Sequence, residues 1–405
     1  MRPPHISWPW LRDMLLAILP PICAALYLGM WGYWVITGYH FTSPADNPIG
    51  TDFTYCWAAV SLVLKGEPGA VYDFSRMAAV ESALFGVNPT VPWPYPPTYL
   101  LLLLPFGLLP YLGSLAAWSL TTLAGYLFVI RRIAPHPQVI WFTLAFPGIF
   151  QNLFFGQNGF LSAIFLGGGL LLLDRSPWAA GLLLALLTYK PHLAILVPVA
   201  LVAGRRWRAL LALGVWTAAL VLATTLVLGL QVWVAFVNHI PKALKILESG
   251  SLGLIFMMPT VFSAVMLSGA GVAAARILQT AAMLTAAGLV VWVWSRGAAP
   301  AIRNAMLVLA ILLFIPHGYV YDLALLALPL AWLGWEGYTR GWLPGEKTCL
   351  FLGWLAPIVL PLLAKATNVQ LTPLVLMALM ALALRRAAQE SPYPGGAMEM
   401  LGQRP

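Results

Sequence analysis

The sequence predicts an all-α polytopic membrane protein, a bundle of about twelve transmembrane helices. Three observations lead there. The mean hydropathy is +0.84 over 405 residues. Only 9% of residues are charged, against about a quarter in soluble domains. Apolar runs recur along the whole chain, separated by short charged or Pro/Gly-rich breaks.

Residues 13–37, "DMLLAILPPICAALYLGMWGYWVIT", form the first run and are long enough to cross a bilayer. They exceed a signal-peptide core and lack a small-residue cleavage site, so they read as a retained span. A polar stretch, 38–95, follows. Residues 53–65, "FTYCWAAVSLVLK", are apolar or aromatic most of the way round, as in a helix lying at the membrane face with Tyr55 and Trp57 at the interface.

Residues 91–110, "VPWPYPPTYLLLLLPFGLLP", hold six prolines and four aromatics. They predict a rigid extended approach, then an apolar piece too short to span alone. With 111–130 it makes one crossing. Further spans are expected at 138–150, 159–173, 177–189, 191–203, 209–230, 273–295, 304–315, 322–335, 349–363 and 371–384. Several are short and bounded by proline, as half-helices are. The tail 387–405 is polar and Pro/Gly-rich, with the composition of a disordered segment.

Basic residues orient this thread. With the N-terminus inside, Arg131, Arg132, Arg175, Arg205, Arg206, Arg208, Arg296, Arg303, Arg340, Lys347, Arg385 and Arg386 all fall in cytoplasmic loops, as the positive-inside rule requires. Two crossings within 96–130 would reverse every later loop. The net charge of +9 therefore records topology, and no nucleic acid is expected. The domain is 1–386, with 38–95 and 231–272 as exoplasmic loops.

The first exoplasmic loop holds Asp46, Asp52, Glu67, Asp73 and Glu81, five of the thirteen acids. Asp52 stands immediately before the 53–65 helix. It suits an N-cap and equally a general base taking a proton from a bound hydroxyl; the two roles are compatible. Other polar groups recur at the same face: Gln157 and Asn158 in "FFGQNGFL", Lys190 and His192 in "LLTYKPHLAIL", and His317, Tyr319, Tyr321 and Asp322 in "FIPHGYVYDLALL". A cation such as Lys190 between apolar runs needs a partner or a polar cavity. Cys23, Cys56 and Cys349 are scattered, so neither a disulfide framework nor a zinc site is expected, and no phosphate-binding glycine motif appears.

Taken in order, "GTDFTYCWAA", "KGEPGAVYD", "WPYPPTYLLLLLPFGLLP", "FGQNGFLSA" and "GLLLALLTYKPHLAILVPVALV" resemble glycosyltransferase family 87 over about residues 48–325. These are integral-membrane enzymes of the GT-C fold class, and α-1,2-mannosyltransferases are among them. The resemblance implies a polyprenyl-phosphate sugar as donor, and a glycolipid or glycan as acceptor on the outer face. It implies Asp52 as the catalytic base of an inverting transfer, and a multi-pass location in the plasma (inner) membrane. Lys190, His192 and Arg276 are then candidates for the leaving phosphate, and His317 for the sugar or phosphate. Tyr55, Tyr95, Gln157 and Asn158 complete the expected binding residues. No metal or cofactor is expected, because the lipid-linked sugar is itself a substrate. The competing reading is a transporter or flippase of a lipid-linked envelope precursor, which would place its ionisable groups near the bilayer midplane.

Overall fold

The computed structural model describes residues 9–37, 50–86, 92–248 and 255–389. Asp46 and the tail 390–405 lie outside them.

The described chain is helical, with no strand. It opens with α1 (Pro9–Thr37), α2 (Phe53–Leu64), α3 (Phe74–Phe85), α4 (Pro97–Gly107) and α5 (Tyr111–Ile133). There follow α6 (Val139–Leu144), α7 (Pro147–Phe155), α8 (Gly159–Leu172), α9 (Pro177–Leu186), α10 (Pro191–Ala194), α11 (Leu196–Ala203) and α12 (Trp207–Leu228). The remainder comprises α13 (Gln231–Glu248), α14 (Val261–Leu267), α15 (Gly271–Ser295), α16 (Pro300–Phe314), α17 (Ala327–Arg340), α18 (Glu346–Thr367) and α19 (Thr372–Gln389).

Proline sets much of this segmentation. It stands at the first turn of α4, α7, α9, α10 and α16, where its missing N–H costs nothing and its fixed φ suits a helix. The preceding residue is driven out of the helical region. Pro96, Phe146 and Ala299 are accordingly extended, with ψ of 159°, 125° and 145°. Lys190, before Pro191, has φ −123° and ψ 80°. Apolar runs that read as continuous are thereby cut.

Among the described residues, five helices are long and apolar enough to cross a membrane: Ile18–Thr37, Tyr111–Ile133, Trp207–Leu228, Gly271–Ser295 and Glu346–Thr367. This is fewer than the twelve spans expected, because prolines divide several of them. The 138–150 run is two short helices, broken ahead of Pro147, and 322–335 begins as a 3₁₀ segment, Val320–Leu326. The 159–173 and 304–315 runs form helices of 14 and 15 residues. The 96–130 segment divides as expected, into a short α4 and a 23-residue α5.

Burial separates the interior from the rim. Every residue of α16 from Ile302 to Leu313 is buried, as expected of a helix apolar on all sides, and it packs on α11, α15, α17 and α19. By contrast α12 is apolar yet mostly exposed, with Leu211, Leu222 and Leu226 bare. A surface of that kind is what lipid covers.

Candidate active site

Asp52 enters a turn that begins at Gly50, and its own N–H donates to Phe155 O at 3.0 Å. It occupies the position before α2, but its φ and ψ are −89° and −12° and its carboxylate caps nothing. The capping expectation therefore fails. The reason is a competing donor: Gln157 Nε2 reaches Asp52 Oδ2 at 2.6 Å and turns the carboxylate away from the helix start.

The "FGQNGF" turn builds this contact. Gly156 ends α7 in the left-handed region, φ 66°, a position glycine takes without cost. A β-carbon there would also lie 2.6 Å from Phe53 Cβ. Gly159 is similarly confined, against Asn152 Oδ1 and Tyr321 O. Asn152 accepts from Gly159 N at 2.8 Å and donates to Tyr321 O at 2.9 Å. One side chain thus fixes the 157–159 turn to the 320s segment.

Asp52 keeps some accessible surface although protein surrounds it, as at the wall of a recess. Burial pushes its carboxyl up to about 6, and the Gln157 hydrogen bond offsets part of that rise.

Beyond Asp52 lies an aromatic and cationic cluster. The Tyr55 and Tyr95 hydroxyls are 3.4 Å apart, and their rings stack. Tyr95 leads by ring contacts to Trp93, Tyr99 and Tyr189. Asn158 Nδ2 donates to Tyr99 Oη at 3.2 Å, while Tyr189 donates to Asn158 O at 3.0 Å. Lys190, freed from helical geometry by Pro191, sends Nζ to Asp322 Oδ1 at 2.6 Å. Both residues are buried. Nζ also lies 5.0 Å from the Tyr321 ring centroid and 5.9 Å from that of Tyr95, within cation–π range. Tyr321 stacks on Tyr319, and both are within electrostatic reach of Asp52. His192 interacts with Lys190, Asp322 and His317, and the His317 ring packs 5.0 Å from Phe262.

The fold thus gathers Asp52, Tyr55, Tyr95, Gln157, Asn158, Lys190, His192 and His317. Arg276 stands apart, exposed on α15, a helix that packs on α11, α14 and α16. Its placement gives no reason to join it to the cluster. Sequence reasoning missed Tyr99, Asn152 and Tyr189. Buried tyrosines in an apolar run look like core, and only their hydroxyl partners distinguish them. No three His, Cys, Asp or Glu side chains converge as metal ligands among the described residues. An apolar groove lined by Val63, Leu64, Leu104 and Leu228 lies at the far end of α2 and carries no ionisable group.

No curated protein and no solved structure matches the chain. The family model of glycosyltransferase family 87 matches residues 93–316, a narrower range than the resemblance traced above. Asp52 lies ahead of that range and is joined to it through Gln157. With more than half its length matched, the chain belongs to glycosyltransferase family 87, and its apolar helices make it a membrane glycosyltransferase.

Proposed function

We propose that this enzyme moves a hexose from a polyprenyl-phosphate donor to a hydroxyl of a glycolipid or glycan, on the exoplasmic face of the plasma membrane. Mannose is the sugar that family analogy favours. The observation that carries this reading is Asp52: a carboxylate held by a single amide in a recess, with its pKa raised towards neutrality. A general base works best with a pKa near the operating pH.

In this mechanism Asp52 takes the proton of the acceptor hydroxyl as that oxygen attacks the anomeric carbon. The bond to the polyprenyl-phosphate oxygen breaks on the opposite side, so configuration inverts. The leaving phosphate gathers negative charge, and preorganised donors stabilise it. Lys190 presents its remaining N–H bonds between the Tyr95 and Tyr321 rings, while Asp322 fixes its position. His192, His317 and the Tyr55 hydroxyl supply further donors. Gln157 orients the base, and Asn158 holds the tyrosine stack through Tyr99.

A lipid carrier suits this setting, because the bundle presents helices such as α12 whose outer faces are bare hydrocarbon. The transporter reading is weaker. The cluster gathers at one end of the bundle, at the N-terminal ends of α2 and α8 and ahead of α17, whereas transporters bind near mid-helix breaks.

Turnover by the purified enzyme with a panel of polyprenyl-phosphate sugars and membrane-lipid acceptors tests the proposal. Transfer from at least one lipid-linked hexose is expected. Transfer from nucleotide sugars alone would overturn the donor assignment.

A further inference from the structure

Among the described residues, Glu81 is an acid within electrostatic reach of Asp52 that the mechanism above leaves unused. It lies on α3 and is only 5% exposed. Met77, Glu81 and Phe85 are the buried residues of that helix, four apart and so on one face, and α3 packs on α2. The carboxyl makes no hydrogen bond or ion pair among the described residues; Arg76, on the same helix, is paired with Glu67. Neither of its oxygens is among the fully buried side-chain atoms that lack a partner, so the carboxyl keeps some accessible surface on which a ligand can be taken.

The surroundings indicate which side of the site that ligand takes. Residues two apart on a helix point to roughly opposite faces. Tyr55 faces Trp93 and Tyr95, the side on which Lys190 lies. Trp57 faces Phe85 and Tyr111, at 6.2 and 6.0 Å between ring centroids. Glu81 sits one turn before Phe85 on that second side. It is close enough to Asp52 and Cys56 to interact with both electrically. Asp52, at the head of α2, therefore stands between a cation-bearing side and a side with a carboxyl and an aromatic wall.

We propose that Glu81 binds the acceptor sugar, its two carboxyl oxygens taking adjacent hydroxyls while the Trp57–Phe85 wall receives the apolar face of the ring. A hexose fits this chemistry because it presents vicinal hydroxyls on one edge and C–H bonds on a face. A phosphate does not fit, since Asp52 would repel it and no cation among the described residues pairs with Glu81. Burial, reinforced by the Asp52 charge, pushes the Glu81 carboxyl up to about 7, so it can donate as well as accept at neutral pH. The inference rests on the glycosyltransferase reading and assigns its acceptor side.

Equilibrium binding of octyl α-mannoside and octyl β-glucoside to the full-length protein in lipid nanodiscs tests it, with 1-octanol as the tail-only control. Wild type is expected to bind at least one glycoside more tightly than octanol. Glu81→Gln should weaken that preference about tenfold, the usual scale for a lost charge-assisted hydrogen bond, and Glu67→Gln, at an exposed surface pair with Arg76, should leave it unchanged. Glu81→Met, apolar and similar in volume, relieves the buried acid and should fold at least as well as wild type while losing the preference. Equal affinity in wild type and Glu81→Met would overturn the proposal, as would a wild type that prefers neither glycoside. Neither donor nor turnover enters the measurement, so a failed donor assignment leaves its result intact. Normal transfer with unchanged binding in both Glu81 variants would remove only Glu81.

Discussion

The two ends of α8 partner their acids in opposite ways. The helix is 14 residues long, about 20 Å at 1.5 Å per residue. At the end beyond its last turn, Asp174 is clasped by Arg206 at 2.8 Å and Arg303 at 2.5 Å. At the same end of the bundle, where α17 stops and α18 starts, Glu346 receives Arg386 at 2.8 and 2.5 Å and Leu343 N at 2.8 Å. These carboxylates are saturated. At the other end, among the described residues, the Asp52 carboxylate has one amide partner and that of Glu81 has none. Saturated pairs lock helices together; a carboxylate with few protein partners keeps capacity to accept a hydrogen bond or proton, which is the role proposed for Asp52. The difference separates architecture from chemistry without any appeal to resemblance.

The strongest way to break the contrast is Asp52→Asn. Asn still accepts the Gln157 hydrogen bond, so the turn should survive. Removing a general base typically costs about 10²–10⁴-fold in rate, and transfer should collapse accordingly. Stability should move the other way. The Asp52 pKa is raised from 3.8 to about 6 in the fold, so the protonated form is the favoured one. Stability linked to it is present below pH 4 and lost as pH rises to 6, a penalty of about 3 kcal/mol at neutral pH. The variant should therefore melt at or above the wild-type temperature at pH 7 and match it at pH 4. A folded, active Asp52→Asn protein would end the base assignment.

The two buried ion pairs sharpen the contrast. Lys190→Met strands Asp322, and Arg386→Met strands Glu346; each should cost about 3–5 kcal/mol, the usual price of an uncompensated buried charge. Thermal melts should fall for both. Kinetics should divide them: Lys190→Met should lose transfer even at temperatures where it is folded, whereas Arg386→Met should retain wild-type turnover per folded molecule. The pair replacement Lys190→Met with Asp322→Leu should recover much of the lost stability and none of the activity. Recovered activity in the double variant would reduce Lys190 to a structural role.

Much of this was legible in the sequence, and the illegible part has definite causes. Hydropathy located α5, α12 and α15 because long apolar runs without proline have one helical solution, and it located α18 although Pro357 and Pro361 lie inside that helix. It overextended at 138–150, where Pro147 divides a run that stays apolar throughout, whereas the break at Pro191 falls where 177–189 and 191–203 were separated in the sequence. The polar motifs came together because each sits in a break between helices. The role of Asp52 at α2 was misread locally: capping depends on which donors arrive first, and Gln157 is 105 residues away. Glu81 could be counted but not placed, since its burial depends on how α3 packs against α2.

The last test concerns the slope of activity with pH, the smallest of the expected effects. If Asp52 must be ionised to accept the acceptor proton, transfer should fall on the acid side with a midpoint near 6, where burial places its carboxyl. Below that midpoint the ionised fraction, and with it the rate, drops about tenfold per pH unit. An unperturbed aspartate would put the limb near 4. Gln157 adjusts the position: its hydrogen bond to Oδ2 favours the ionised form, so Gln157→Leu should move the limb to higher pH while leaving plateau turnover less affected. Glu346→Gln, at the saturated end, should leave the midpoint where it was. An acid limb at 4 in wild type, or a limb that ignores Gln157→Leu, would mean that the proton goes elsewhere and that the recess around Asp52 serves binding alone.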